Sequence, residues 1–156
     1  MSLAFYFTGG GSASSVLGGQ ISSTELTEVA EALFPNVSLA DATAGITHYA
    51  CICVKNTGAE TITNVGVYLS SLVSNGKLYV AKGLTGKNST TEQTIANNTT
   101  APTGALVFQQ PLYEYSPVAL GLLAAGEFYH LWLKRVIAAN TAGNPDEYLI
   151  LTGVES

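Results

Sequence analysis

The chain is 156 residues long, the size of one domain, with 47% hydrophobic and 11% charged residues. A charged fraction that far below the roughly 25% usual in soluble domains weighs against a helical bundle, whose wet faces need Glu, Lys and Arg. The formal net charge is -5 and Lys134-Arg135 is the only pair of adjacent cations, which leaves nucleic acid without an electrostatic footing.

Residues 1–23, MSLAFYFTGGGSASSVLGGQISS, start with an apolar-aromatic run and continue through two glycine clusters. Two readings stand for this segment. One is a first strand followed by a flexible loop. The other is an N-terminal arm that becomes ordered on a neighbouring chain, with Leu3, Phe5, Tyr6 and Phe7 as its anchors. The domain division that follows is an arm or loop over 1–23 and one β-sandwich domain over 24–156. Ser22 and Glu25 have capping-box spacing, and Leu26, Val29, Ala30 and Leu33 share a helical stripe. A short helix is therefore expected near residues 23–33, stopped by Pro35.

From His48 the period changes from helical to alternating. HYACICVKN predicts a strand closed by the Asn56-Thr57-Gly58 turn, and TITNVGVYLSSLV alternates Val65, Val67 and Leu69 against Gly66, Tyr68 and Ser70. Asn75-Gly76 then signals a hairpin into KLYVAKG. Residues 83–103 form a long polar loop with an edge strand expected around 92–96. GALVFQQP, EFYHLWLKRVIA and DEYLILTGV supply three further strands. Short strands separated by turn signals predict a mainly β, antiparallel sandwich. PVALGLLAAGEF, the longest nearly apolar stretch, is too short and too glycine-broken to span a bilayer, so no membrane partner is expected.

The two cysteines, Cys51 and Cys53, are spaced C-x-C. On a strand they share a face with Cα atoms about 7 Å apart, at the edge of what a disulfide permits. His48 points to the opposite face, and no C-x-x-C or H-x-x-x-H completes a metal set, so both thiols are expected to pack as small apolar residues. The serines lie in glycine-rich loops without G-x-S-x-G, and GGGSAS lacks the Lys and Ser/Thr of a phosphate loop. No catalytic, cofactor-binding or metal-binding residue is assigned. Trp132 is the remaining candidate. With Leu131 and Leu133 facing the core it points to the other side of its strand, where it either meets a partner or packs under a loop.

FTGGGSASSVLGGQISS, LFPNVSLADATAGITHYACICVKNTG, TTEQTIANNTTAPTGALVF and LLAAGEFYHLWLKRVIAANTAGNPDEYLILTGV, in this order, resemble a family of small virion-associated proteins of tailed bacteriophages. The resemblance covers nearly the whole chain. It implies an immunoglobulin-like β-sandwich located in the virion and made in the bacterial host cytoplasm. It also implies a non-enzymatic role as a capsid decoration (cement) protein on the outer capsid surface. The partners it implies are the major capsid protein, further copies of the chain, or both, with a homo-oligomer such as a trimer suited to local three-fold positions. The alternative is a tail- or fibre-associated module that binds a host surface glycan. Both roles agree with the scarcity of charge, because each charge buried unpaired at an interface is costly.

Overall fold

The computed structural model describes residues 3–12, 15–26, 33–35, 37–69, 77–111, 116–140 and 151–154. In chain order the elements are β1 (Leu3–Thr8), β2 (Ile21–Leu26), α1 (Leu39–Ala44), β3 (Ile46–Asn56), β4 (Ile62–Leu69), β5 (Lys77–Lys82), β6 (Val118–Leu123), β7 (Phe128–Ile137) and β8 (Leu151–Val154). They form two sheets, ordered β2-β1-β3-β7-β5 and β6-β4-β8, in which every pairing of named strands is antiparallel. The sheets pack face to face as the expected β-sandwich.

Strand period decides which residues fill the space between the sheets. On the larger sheet, Ala50, Ile52 and Val54 of β3 stand opposite Leu133, Leu131 and Tyr129 of β7. Leu78 and Val80 of β5 and Leu3, Phe5 and Phe7 of β1 extend the same layer. Val65 and Val67 of β4 with Val118, Leu120 and Leu123 of β6 meet it from the smaller sheet. The β4–β6 register shifts between Ile62 and Val65. That shift turns both residues inward although they lie three apart, as a bulge does. Gly121, at φ +80, supplies the left-handed residue opposite Val65 that lets Leu120 and Leu123 both reach the core.

Asn56 ties the two layers together. Its fully buried amide donates to the carbonyls of Glu60 (2.8 Å) and Leu123 (2.9 Å) and accepts from the Gly58 N–H (2.9 Å). A turn residue at the end of β3 thus satisfies the end of β6 in the other sheet.

Several expectations need correction. Of the two readings of the N-terminal segment the first strand is realised and the arm is not: β1 is an interior strand, paired with β2 on one side and β3 on the other. Residues 23–26 of the expected helix are extended, because Leu26 reaches the core beside Phe5 when β2 pairs with β1. Residues 27–32 lie outside the described residues. The helix is further along, where Ser38 caps the Asp41 N–H (3.1 Å) and Gly45 closes the last turn at φ +82. β4 and β5 lie in different sheets and are not hairpin partners; Asn75-Gly76 itself lies outside the described residues. Residues 92–96 and 104–111 contribute only isolated bridges, Gly18 to Thr94 and Val80 to Gln109.

Replacing Asn56 with Ala is expected to lower the unfolding free energy by roughly 1–3 kcal/mol, because the buried Leu123 carbonyl loses its donor while the Glu60 carbonyl is left to water. Urea denaturation measures it, and a loss below about 1 kcal/mol would show that the amide does not tie the sheets.

Candidate interaction surface

The outer face of the larger sheet is covered by loops. Tyr49, Cys51, Cys53 and Lys55 of β3 stand opposite Lys134, Trp132, His130 and Phe128 of β7 on this face. Cys51, Ala81, Ile95 and Trp132 form a buried cluster there, with Leu17, Tyr49, Leu106 and Phe108 packed around it. Leu17 comes from the glycine-rich β1–β2 connection, and Ile95, Leu106 and Phe108 come from the long loop 83–111.

These polar segments lie flat because their backbones complete the sheet. β3 outruns β1, and the unpaired half of its edge donates from Cys51 N to Val16 O (2.8 Å) and from Tyr49 N to Asn98 O (2.7 Å). The two segments also join each other through Gly19 N to Gln93 O (3.2 Å) and Ile95 N to Leu17 O (2.9 Å). Gly18, at φ +97, is required at the crossing: a Cβ there would stand 2.0 Å from Gln93 O. Beneath the loop, buried Glu92 accepts from Trp132 Nε1 (2.8 Å) and from the Thr85 hydroxyl. Both bonds go to a carboxylate, which makes them stronger than neutral ones.

Burial shifts the cysteines and His48 away from their ordinary titration ranges. Burial pushes the Cys51 thiol well above its usual range, with further upward contributions from Cys53 and Glu92. Burial and then Glu92 raise Cys53 in the same way. Neither is bonded to the other. His48 accepts from Arg135 Nη2 at Nδ1 (3.0 Å), and the same nitrogen of Arg135 donates to Pro35 O (2.7 Å). Burial and then the Arg135 charge depress the His48 imidazole below its ordinary range. The Arg135 guanidinium also stacks over Phe34, 5.0 Å from the ring centroid. Among the described residues, no group of three or more His, Cys, Asp or Glu side chains could hold a metal ion. No described helix is long and apolar enough to cross a membrane.

What the sandwich offers a partner lies at its edge. Lys82 and Tyr129, Gly83 and Leu84, Ala105, Val107 and Gln109, and Pro117 to Ala119 line an open groove of about 550 Å³. It runs between the end of β5, the start of β6 and the loop. Leu84 and Val107 are 53% and 66% exposed on its rim. The Lys82 ammonium sits 5.1 Å from the centroid of Tyr129, covering that ring.

The sequence-derived interface residues lie elsewhere. Leu3 is buried, and Phe5 and Phe7 pack against the core between the sheets. Tyr6 is half-buried on the outer face with Lys55 over its ring, 5.6 Å from the centroid. Trp132 has no exposed surface. Its side of the strand is as expected, and of the two readings the loop cover is the one realised. Leu3, Phe5, Phe7 and Trp132 are therefore corrected from contact residues to packing residues. The exposed apolar residues of the groove, Leu84 and Val107, sit in a polar loop whose lack of periodicity gives no signal; Leu39 and Leu122 are exposed away from it.

Both thiols are expected to resist a disulfide-exchange reagent at pH 8 in the folded protein and to react fully in denaturant. Rapid labelling of either under native conditions would contradict their burial. Searches of protein-family models, curated proteins and solved structures find no match to this chain.

Proposed function

We propose that this chain is a non-enzymatic structural protein of a tailed-bacteriophage particle, a decoration (cement) protein attached to the outer capsid surface. The observation that carries the reading is the pair Leu84 and Val107, large apolar side chains exposed on the rim of a groove. Exposed apolar side chains grouped at a groove mark a contact site more often than isolated ones do. The scaffold behind them suits the role. A sandwich covered on both faces of its larger sheet holds a contact surface rigid, and rigidity limits the entropy lost when it docks. The low charge density keeps unpaired charges out of a packed interface.

The partners in this reading are the major capsid protein and neighbouring copies of the chain. A glycan-binding tail module is less well supported, because stacking on a sugar needs an open aromatic face, and the face of Tyr129 in the groove lies under Lys82.

Quantitative mass spectrometry of purified particles tests the reading. The chain is expected in copy numbers that scale with the capsomers; a handful of copies per particle would place it on the tail instead. Leu84→Asp and Val107→Asp, both at exposed positions, are expected to weaken binding to undecorated capsids by tenfold or more. Each should move folding stability by no more than about 0.5 kcal/mol. Undiminished binding by the double variant would remove the groove from the interface.

A further inference from the structure

His130 is one of two histidines in the chain and is the third residue of β7, with 1% of its surface exposed. Its Nε2 lies 2.7 Å from the carbonyl oxygen of Gly19 in the β1–β2 connection. A carbonyl only accepts, so Nε2 carries the proton and Nδ1 presents a bare lone pair. Nδ1 is buried and has no hydrogen-bond partner. The ring is therefore built into the sheet in its neutral form, fastened to the loop by a single bond.

The surroundings make a second proton hard to hold. Cys53 stands directly across on β3, and Cys51 lies beyond it on the same face; burial keeps both as thiols. From the long loop the charged group is Glu92, whose oxygens already accept from Trp132 and Thr85. Gly83, at the end of β5, meets this position through its N–H, which donates to His130 O (2.8 Å). Lys82 lies on the opposite face over Tyr129. Phe128 packs edge-on against the imidazole at 5.9 Å, and residues 15–20 carry no charge.

We propose that His130 is an acid-sensitive latch: protonation of its ring releases the 15–20 segment from the outer face of the sheet and admits water to Trp132. The segment is the part able to move. Its backbone is tied to the rest of the chain at Val16 O, Leu17 O, Gly19 N and Gln20 O, whereas β3 and β7 beneath it are paired without a break from Ile46 to Lys55. Burial keeps the closed ring below the ordinary imidazole range, partly offset by the Gly19 bond and the Glu92 charge. A released, hydrated ring titrates near ~6.5. The closed form thus binds fewer protons than the open form. Opening is suppressed above about pH 7 and grows by up to about tenfold per pH unit below ~6.5, until the closed ring itself protonates.

Trp132 is the only tryptophan and lies under the segment, so it reports release directly. Acrylamide quenching of its fluorescence, with far-UV circular dichroism in parallel, is followed from pH 8 to pH 5. Quenching is expected to rise several-fold between pH 7 and 5 while the dichroism stays constant. His130→Gln, neutral at every pH with an amide able to reach Gly19 O, is expected to abolish the rise. His48→Gln and Glu92→Gln are expected to keep it. A flat profile in the wild type, a rise that survives in H130Q, or its loss in E92Q would overturn the latch. Should H130Q fail to fold, amide exchange of the wild type decides, corrected for intrinsic rates. Acid-induced exchange confined to 15–20 and 92–95 supports the proposal, and uniform or absent acceleration refutes it.

Discussion

The pairing of β3 with β7 is the constraint on which the rest of the molecule depends. Ten consecutive residues of β3 find partners on β7, and on both faces the paired side chains are largely withdrawn from water. Such a ribbon cannot stand alone, because each face needs an apolar cover. The second sheet supplies the inner one. For the outer face the chain offers loops rich in Thr, Asn and Gly, and these serve only because their backbones bond to the edge of β3 and to each other. The few apolar side chains they carry, Leu17, Ile95, Leu106 and Phe108, are spent on Trp132 and its neighbours.

That solution sets the chemistry of the buried polar groups. A loop cover brings carbonyls and carboxylates close to the sheet, so Glu92 and Gly19 O become the partners of Trp132 and His130. A third packed sheet would have offered neither. The cover therefore depends on polar contacts made in a region of low dielectric, where satisfied bonds are strong and unsatisfied ones costly. The spacing of the cysteines, which first suggests a site, reduces to strand period; Cys51 and Cys53 are two of the small residues over which the loops close.

The strands β3, β4, β5 and β7 were legible because each alternates or runs largely apolar between turn signals, and strand formation needs little more. The sandwich followed from their number. Trp132 was placed on the correct side of its strand, but its cover was invisible, since loop 83–111 has no period to declare where it lies. Residues 23–26 depart from the expected helix for a different reason. Leu26 fits a helical stripe and a strand alike, and pairing with β1, a tertiary event, decides between them. β6 was hidden because Gly121 breaks the alternation of Val118, Leu120 and Leu123 at a bulge. The helix α1 did carry a local signal, Ser38 three residues before Asp41 with Gly45 at the end, which the stronger-looking stripe upstream outshone. The groove could not be inferred at all, since it joins residues from three separate parts of the chain.

The position of β7 has a kinetic consequence. Cys51 and Trp132 face each other across more than half the length of the chain. On a ribosome, β3 emerges with both its faces wet and must wait for most of the remaining sequence before its main partner exists. Until then one edge is met by β1 from Ile52 to Asn56 and by Val16 at Cys51, and the other edge, which β7 will take from Ile46 to Lys55, stays bare. Closing so large a loop makes productive folding slow relative to helical proteins of this size. The nascent chain is accordingly most exposed to aggregation at the stretch that becomes the best-buried strand of the finished fold.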